Sequence, residues 1–489
     1  MARLNKDLIN KNRIAGFLEN WDKLPEKVLQ FGTGALLRGL PDYFIDKANR
    51  QSEFNGRIVV VKSTDQGGTD EFAAQDCLYT LHVKGIQNGK EAEESVLISA
   101  ISRVLSAANQ WEAILGVATQ PHLEIIISNT TEIGIVLDEK DDLNAFPPAS
   151  FPAKLTALLY TRFLHFRGDR TKGLIILPTE LLSDNGAKLK EMVIKLAYIK
   201  SLPEEFVEWL KEANHFCNTL VDRIVPGRIA VTERAEIEQR LGYTDELAIL
   251  AEPFRLWAIE SSSKEVVNSL SFAKVDDGVI IVPDIWKFKE LKLRLLNGSH
   301  SFGCGLAMLC GFDTVRDAMQ NAHFSKYIFS LLKEEIVFTI ANEHISEAEA
   351  MQFASAVMDR FGNPFLHHKW MSISLNYTSK MQMRNVPLIE GYVHKTHRAP
   401  KYMALGFSAY ILSMKDPGNL DEHAGAFADL WKEDSSKLIV DAVLGNVGFW
   451  RTDLRLLKRF GALVEHYLTL LRNGNALEVI KALNSNNNN

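Results

Sequence analysis

Gln30-Phe31-Gly32-Thr33-Gly34-Ala35-Leu36-Leu37-Arg38-Gly39 follows a short apolar run, KVLQF at 27–31, and opens into a stretch of helix formers at 36–50. A strand ending in Gly-x-Gly turns tightly and lets backbone approach a pyrophosphate, which then rests on the free N–H groups and positive dipole end of the next helix. Gly32 and Gly34 suit those two roles. The third position of the generic fingerprint is Leu37 in place of Gly, so the letters alone are incomplete and the surroundings carry the weight. A second run, RIVVV at 57–61, begins about 25 residues on, the length of a first βαβ unit. LEIII at 123–127 and GLIIL at 173–177 repeat the pattern: short, rich in Val, Ile and Leu, and unalternated, as strands are when helices cover both faces. Helical stretches such as 36–50 and 101–117 lie between them. The fold class is therefore α/β, with a Rossmann-like nucleotide-binding domain over 1–280.

Beyond that point helix formers dominate, at 285–296, 347–360, 424–433 and 453–471. We expect a mostly α-helical domain over 281–483 that carries substrate and catalytic groups. The Asn-rich terminus 484–489 has nothing to pack and is expected to be a disordered tail. The longest apolar stretch, FGCGLAMLCGF at 302–312, is about half the ~20 residues a membrane span needs, and reads as a buried helix.

Composition narrows the function. A chain of 489 residues, 46% hydrophobic and 24% charged, matches ordinary globular proteins and can bury large cores. Its formal charge of −6 is a weak field for this length, which disfavours nucleic acid as a partner. Cys77, Cys217, Cys304 and Cys310 form no CxxC pair and indicate reduced thiols rather than a disulfide framework. The charged start, MARLNKD, lacks the apolar core of a secretory signal, so a cytoplasmic protein with no membrane partner is expected.

The clearest chemistry lies in Lys292-Leu293-Arg294-Leu295-Leu296-Asn297-Gly298-Ser299-His300. At about 100° per residue, Asn297 lies roughly 140° and His300 roughly 80° around a helix from Lys292. Leu293, Leu296 and Trp286 offer apolar surroundings that favour a neutral amine, which suits Lys292 as an acid/base. A carbonyl reduced by hydride gains negative charge on oxygen and needs a proton donor plus neutral hydrogen-bond donors; Lys292, Asn297 and His300 supply these. The pairs His367-His368 and His394-x-x-His397 have no carboxylate or thiolate at a ligand spacing, so no metal is expected.

K-x4-N-x2-H together with FGTGALLRG resembles the polyol-specific long-chain dehydrogenases, the mannitol dehydrogenase family. Further segments are similar in the same order: SNTTEIG at 128–134, the helix starting FPAKL at 151, NTLVDRIVP at 218–226, and RFGNP at 360–364. The resemblance covers about 28–390. It implies a metal-independent, NAD-dependent oxidoreductase with Lys292 as acid/base, Asn297 as oxyanion donor and His300 as substrate ligand. It also implies that Gly32, Gly34, Leu36 and Arg38 form the cofactor turn, and that Asn129, Thr130 and Glu132 lie near the nicotinamide. Asp65 would hold the adenosine ribose, whereas Lys62 nearby suits a 2′-phosphate; the balance leans to NAD. Val221 and Asp222 would line the substrate pocket.

After 173–177 the family usually reads S-C-D-N-L-x-x-N-G, but this chain reads PTELLSDNG at 178–186, with Leu181 in place of the Asn. This version resembles the branch that acts on a keto sugar acid. Such a substrate requires a fixed cation for its carboxylate. Lys380 is the first candidate, followed by Arg384, with Glu180 a further substrate contact; His367, His368, His394 and Lys395 are in the same region. The alternatives are an isomeric keto acid or a neutral polyol as substrate or, in a different class, a nucleotide-binding sensor without turnover. A small sugar acid is the expected partner, and the chain is expected to be a monomer or homodimer.

Overall fold

A computed structural model describes residues 1–12, 21–63, 68–130, 135–416 and 420–485. The chain forms two compact units, Met1–Lys84 with Ala92–Ile285, and Gly85–Glu91 with Trp286–Asn489.

The first unit is built on a six-stranded parallel sheet: β1 Glu26–Phe31, β2 Arg57–Lys62, β3 Ile101–Ser106, β4 Ile125–Ser128, β5 Ile175–Pro178 and β6 His215–Phe216. Their spatial order is β3-β2-β1-β4-β5-β6, the doubly wound arrangement in which the chain reverses direction between β1 and β4. Successive residues of each strand enter different cores. Val28, Ile58, Val60, Ile125 and Ile127 pack on one face of the sheet. Leu29, Phe31, Val59, Val61 and Ile126 pack on the other. Burial on both faces explains why the strands read as unbroken Val/Ile runs.

Three details differ from the sequence reading. Residues 101–117 are not one helix: Ile101–Ser106 pairs in parallel with β2, and the helix starts at Ala107. The helix expected at 36–50 breaks at Leu40 (φ −133°, ψ −80°), because Pro41 disfavours helical geometry in the residue before it; the pieces are Ala35–Gly39 and Pro41–Arg50. Smaller sheets also flank the main one. Thr219–Asp222, Leu256–Glu260 and Val279–Val282 form one, and the hairpin Tyr79–Gln87/Lys90–Ile98 joins Ile249–Ala251 and Gly227–Arg228 in another. Pairing of Val279–Val282 with Leu256–Glu260 keeps that strand in the first unit, which runs to Ile285.

The second unit is helical around one large core. The helix Ser299–Leu309, which carries His300, is buried against Lys401–Ser413, itself packed on Phe460–Asn473. The first two cross closely because Gly305 and Gly406 face backbone: a Cβ would stand 2.8 Å from the Ala409 oxygen and 2.6 Å from the Phe302 oxygen, respectively. Three stretches, Lys292–Gly298, Leu331–Val337 and Met381–Asn385, are π-helical, a rare geometry that often marks functional sites. Two residues expected in the terminal tail belong to a helix. Asn484 and Ser485 complete the helix Ala476–Ser485, and Asn484 is buried, donating from Nδ2 to the His323 carbonyl (2.9 Å) and accepting from Lys326 Nζ (3.2 Å). Residues 486–489 lie outside the described chain.

Candidate active site

Each unit contributes a distinct group of residues. In the first, β1 ends at Gly32, whose φ of +131° is open to glycine but strained for other residues. A Cβ there would stand 2.9 Å from Leu37 Cδ1 and 3.2 Å from the Asn129 carbonyl oxygen. Leu37, in the place of the third glycine, is thus a buried side chain packed against the turn. Gly34 precedes the helix Ala35–Gly39 with ordinary dihedrals, φ −62° and ψ 156°, and a Cβ there would meet nothing within 4 Å. Open space above exposed backbone at the end of β1, at the switch point of the sheet, is what a pyrophosphate requires. Leu36 is half-buried beside it, against the core under the sheet.

Arg38, expected at the cofactor, contacts the turn itself. Its Nε donates to the Thr33 carbonyl (3.3 Å) and Nη1 to that of Leu247 (2.6 Å), with the guanidinium over the Tyr79 and Phe72 rings. Arg223 of the NTLVDRIVP segment grips the same region, donating from Nη1 to the Gly39 carbonyl (2.6 Å); the sequence reading gave it no role. Beneath the turn lies Asp42, fully buried, its carboxyl pushed up to about 8 by burial, with Gln30 Nε2 3.5 Å away.

At the end of β4, Asn129 donates to the Thr179 carbonyl (3.1 Å) and Oγ1 (3.0 Å). Glu180 is buried and accepts from Thr130 N (2.9 Å), Thr130 Oγ1 (3.2 Å) and Ser128 Oγ (3.2 Å); burial raises its pKa. Glu180 therefore ties the turn after β4 to the end of β5. Leu181, the departure from the family pattern, is 73% exposed. Asn185 is buried and joins Pro178, Glu180 and Thr219 through Nδ2, while Val221 and Asp222 are buried in the strand that follows. Asp65 and Glu132 lie outside the described residues; Lys62 is buried at the end of β2.

In the second unit, Asn297-Gly298 does not end the helix, which continues from Trp286 through the π-helical Lys292–Gly298 into Ser299–Leu309. A π-turn closes over i→i+5, which brings Asn297 to the same side as Lys292, nearer than the roughly 140° that α-geometry gives. His300, three residues further in α-geometry, lies about 60° from Asn297. The three thus share a narrower sector than the sequence implies. Lys292 and Asn297 are half-buried and His300 is buried. Trp286, expected to shield the lysine, is 41% exposed and meets His344 edge-on.

Ring contacts orient His300: it stacks on Phe361 (4.1 Å, 19°) and meets His368 (5.4 Å) and Trp370 (6.1 Å) edge-on. Burial, reinforced by His368, Arg360, Arg384 and Lys380, holds it well below the usual imidazole range, so it is neutral. Lys380 and Arg384 act on one another as cations, whereas His368, like His300, is held toward its neutral form. Lys380 is lowered by burial and by Arg384, and His368 by burial and by Lys380. Lys380 donates to the Ile373 carbonyl (2.9 Å) and Arg384 Nη1 to Ser301 Oγ (3.2 Å). Among the described residues, the charged groups that act most on His300 include the cations Lys380 and Arg384, a pair suited to an anion. Of the other candidates, Lys395 donates to the Phe338 and Ala341 carbonyls, and His394 is exposed. His397 lies past its helix at φ +55°, off the face of His394. Among the described residues, no three His, Cys, Asp or Glu side chains meet as a metal site.

Comparison with known proteins bears on both halves. The family model described as "Mannitol dehydrogenase Rossmann domain" matches residues 26–270, and "Mannitol dehydrogenase C-terminal domain" matches 284–469. An altronate oxidoreductase of Bacillus subtilis (strain 168) is 38% identical over 473 residues, 96% of this chain and 95% of its own. One of Bacteroides thetaiotaomicron is 36% identical over 469 residues, 94% of this chain and 97% of its own. Among solved structures, Pseudomonas fluorescens mannitol 2-dehydrogenase in a ternary complex with NAD and D-mannitol superposes with a TM-score of 0.69 at 23% identity, over 98% of this chain and 99% of its own. A substrate-free D-sorbitol dehydrogenase gives 0.79 at 21%, over 98% and 100%. These two likenesses concern the fold alone.

Proposed function

The chain belongs to the mannitol dehydrogenase family, and from that premise we propose that it reduces D-tagaturonate to D-altronate with NADH, and runs the reverse oxidation with NAD, as a step of hexuronate breakdown. The observation that carries the substrate class is the pair of fixed cations Lys380 and Arg384 beside His300, which suits a carboxylate. Support for the specific sugar acid comes from the relatives at 35–38% identity that carry the name altronate oxidoreductase.

NAD fits the first unit: Gly32 makes the turn, Gly34 leaves backbone open to the pyrophosphate, and the Glu180 network fixes the turn at Asn129 and Thr130. Bound NADH supplies the hydride that the keto carbon receives. In the reductive direction the Lys292 ammonium gives its proton to the developing alkoxide; in the oxidative direction the amine accepts it. The Asn297 amide and the neutral His300 imidazole donate hydrogen bonds to that oxygen, and neutrality lets His300 do so without competing for the proton. Lys380 and Arg384 hold the substrate carboxylate, so that binding energy at the far end of the sugar acid orients the reacting carbon.

No helix among the described residues is long and apolar enough to cross a membrane. We place the protein in the cytoplasm, as a monomer or homodimer. The decisive experiment mixes purified protein with NADH and, separately, tagaturonate, fructuronate and fructose, following loss of reduced-nicotinamide absorbance. Rapid loss with tagaturonate is expected. Preference for fructuronate or fructose would retain the mechanism and move the substrate, and no loss with any would leave a nucleotide-binding sensor.

A further inference from the structure

Two of the π-helical stretches satisfy each other's backbone. Met381–Asn385 runs into the helix Val386–Thr396, whose Pro387 brings no N–H, so the Met383 carbonyl four residues earlier loses its helical donor. Arg294, within Lys292–Gly298, replaces that donor: its Nη1 gives hydrogen bonds to the carbonyls of Met383 (2.8 Å) and Arg384 (2.9 Å). Glu290, one turn back, aims the guanidinium by accepting from Nε (2.9 Å) and Nη2 (3.4 Å). The return contact comes from Asn385, fully buried, whose Nδ2 donates to the Gly298 carbonyl at the end of the first π-stretch (2.9 Å). Gly298 permits the approach; a Cβ there would lie 3.3 Å from Leu388 Cδ1. Arg384 then reaches Ser301, beside His300.

We propose that Arg294 and Asn385, with Glu290 aiming Arg294, form a reciprocal clamp that sets the register between the helix carrying Lys292, Asn297 and His300 and the helix carrying Lys380 and Arg384. The proposal rests on the reading that the first helix handles the proton and the second the carboxylate. Both ends of the substrate must be held at once for the carbonyl to meet Lys292, so a shift of one helix along the other misplaces the reacting carbon even with every catalytic side chain present. Shifts of about 1 Å in such positioning cost on the order of a hundredfold in rate. Arg294, Glu290 and Asn385 are positioning residues, and none of them needs to touch substrate.

The test uses the full chain with Arg294→Met, Arg294→Lys and Asn385→Ser. Hydrogen exchange of the peptide spanning Met381–Asn385 reads the clamp without reference to activity, and is expected to quicken in Arg294→Met and Asn385→Ser. The same two variants should lose at least about tenfold in kcat/KM for tagaturonate, about 1.4 kcal/mol, with NADH affinity measured by fluorescence unchanged. Arg294→Lys should recover only part, since Nη1 meets the carbonyls while Nε and Nη2 meet Glu290, and one ammonium nitrogen cannot fill those positions at once. Unchanged exchange over 381–385, or quickened exchange with kcat/KM intact, would overturn the clamp. If the unaltered protein turned over no sugar acid at all, the functional reading would fall, while the exchange experiment would still decide the clamp.

Discussion

Replacing either glycine of the turn by alanine separates the cost of folding it from the cost of binding through it. At Gly32 the new methyl meets a φ of +131°, a region essentially closed to L-residues and costing of order 1–3 kcal/mol. It also stands 2.9 Å from the end of Leu37, which can swing away, and 3.2 Å from the Asn129 carbonyl, which is fixed by the backbone bond from Asn129 N to the Phe31 carbonyl (3.1 Å). Gly32→Ala should therefore destabilise the free protein by about 2–4 kcal/mol. Gly34→Ala differs in kind. Its φ of −62° accepts any residue and its Cβ direction is empty to 4 Å, so the melting temperature should stay within a degree or two of the unaltered protein. The methyl occupies the space through which the pyrophosphate approaches, however, and loss of one charge-assisted contact at about 1.5–3 kcal/mol predicts roughly 10- to 150-fold weaker NADH binding. Thermal melts without ligand and NADH titration by fluorescence measure the two quantities. A Gly34→Ala protein that binds NADH normally would refute the placement of the pyrophosphate on this turn.

Lys292→Ala should lower kcat by about 10²–10⁴ while NADH affinity is unchanged, measured by steady-state kinetics and titration; near-normal turnover would remove Lys292 as the acid/base. Arg384→Gln should raise KM for tagaturonate by about 10- to 100-fold and leave fructose reduction, however slow, unaffected. A proportional loss for both substrates would mean that Arg384 does not read the carboxylate. Burial raises Asp42 to about 8 and Glu335 to about 7, so between the unfolded carboxylate range near pH 4 and those values the native state binds more protons than the unfolded one. Stability from these two groups is full below about pH 4 and falls as pH rises toward 8. Melts at pH 5 to 8 should show this slope, flattened in Asp42→Asn, and an identical slope in that variant would exclude Asp42 as a source. Asn484→Ala should cost about 1–2 kcal/mol by removing its bond to His323, whereas deleting residues 486–489 should leave the melt unchanged.

What could be read from the sequence was what a short window encodes. Strand, Gly-x-Gly and helix lie within about 25 residues, and burial on both faces makes each strand an apolar run, so the turn and the α/β class were legible from residues 27–61 and the runs that follow. Ile101–Ser106 was lost because its apolar residues, Ile101, Val104 and Leu105, stand at the helical spacing i, i+3, i+4 directly before a true helix, and periodicity over six residues does not separate the two. The small sheets depend on partners distant in the chain: Thr219 pairs with Ile259, and in the hairpin at 79–98 Leu81 pairs with Ile249.

The helix proposed to carry the acid/base shows the limit most sharply. Lys292, Asn297 and His300 were identifiable by their chemistry, but their angular placement was computed for 3.6 residues per turn, and the structure widens that turn for a reason remote in sequence. Pro387 brings no N–H to Met383, Arg294 donates to that carbonyl from 89 residues earlier, and Asn385 donates to Gly298, so the π-helical stretch that holds Lys292 and Asn297 is hydrogen-bonded to the helix that carries Lys380 and Arg384. No local propensity encodes an i→i+5 turn; it arises where tertiary hydrogen bonds replace helical ones. The Arg294 side chain lies in the same nine-residue segment as Lys292, Asn297 and His300 and reads there as an ordinary surface charge. The clamp proposed for it is legible only from the carbonyls it meets, one of which stands opposite the missing N–H of Pro387.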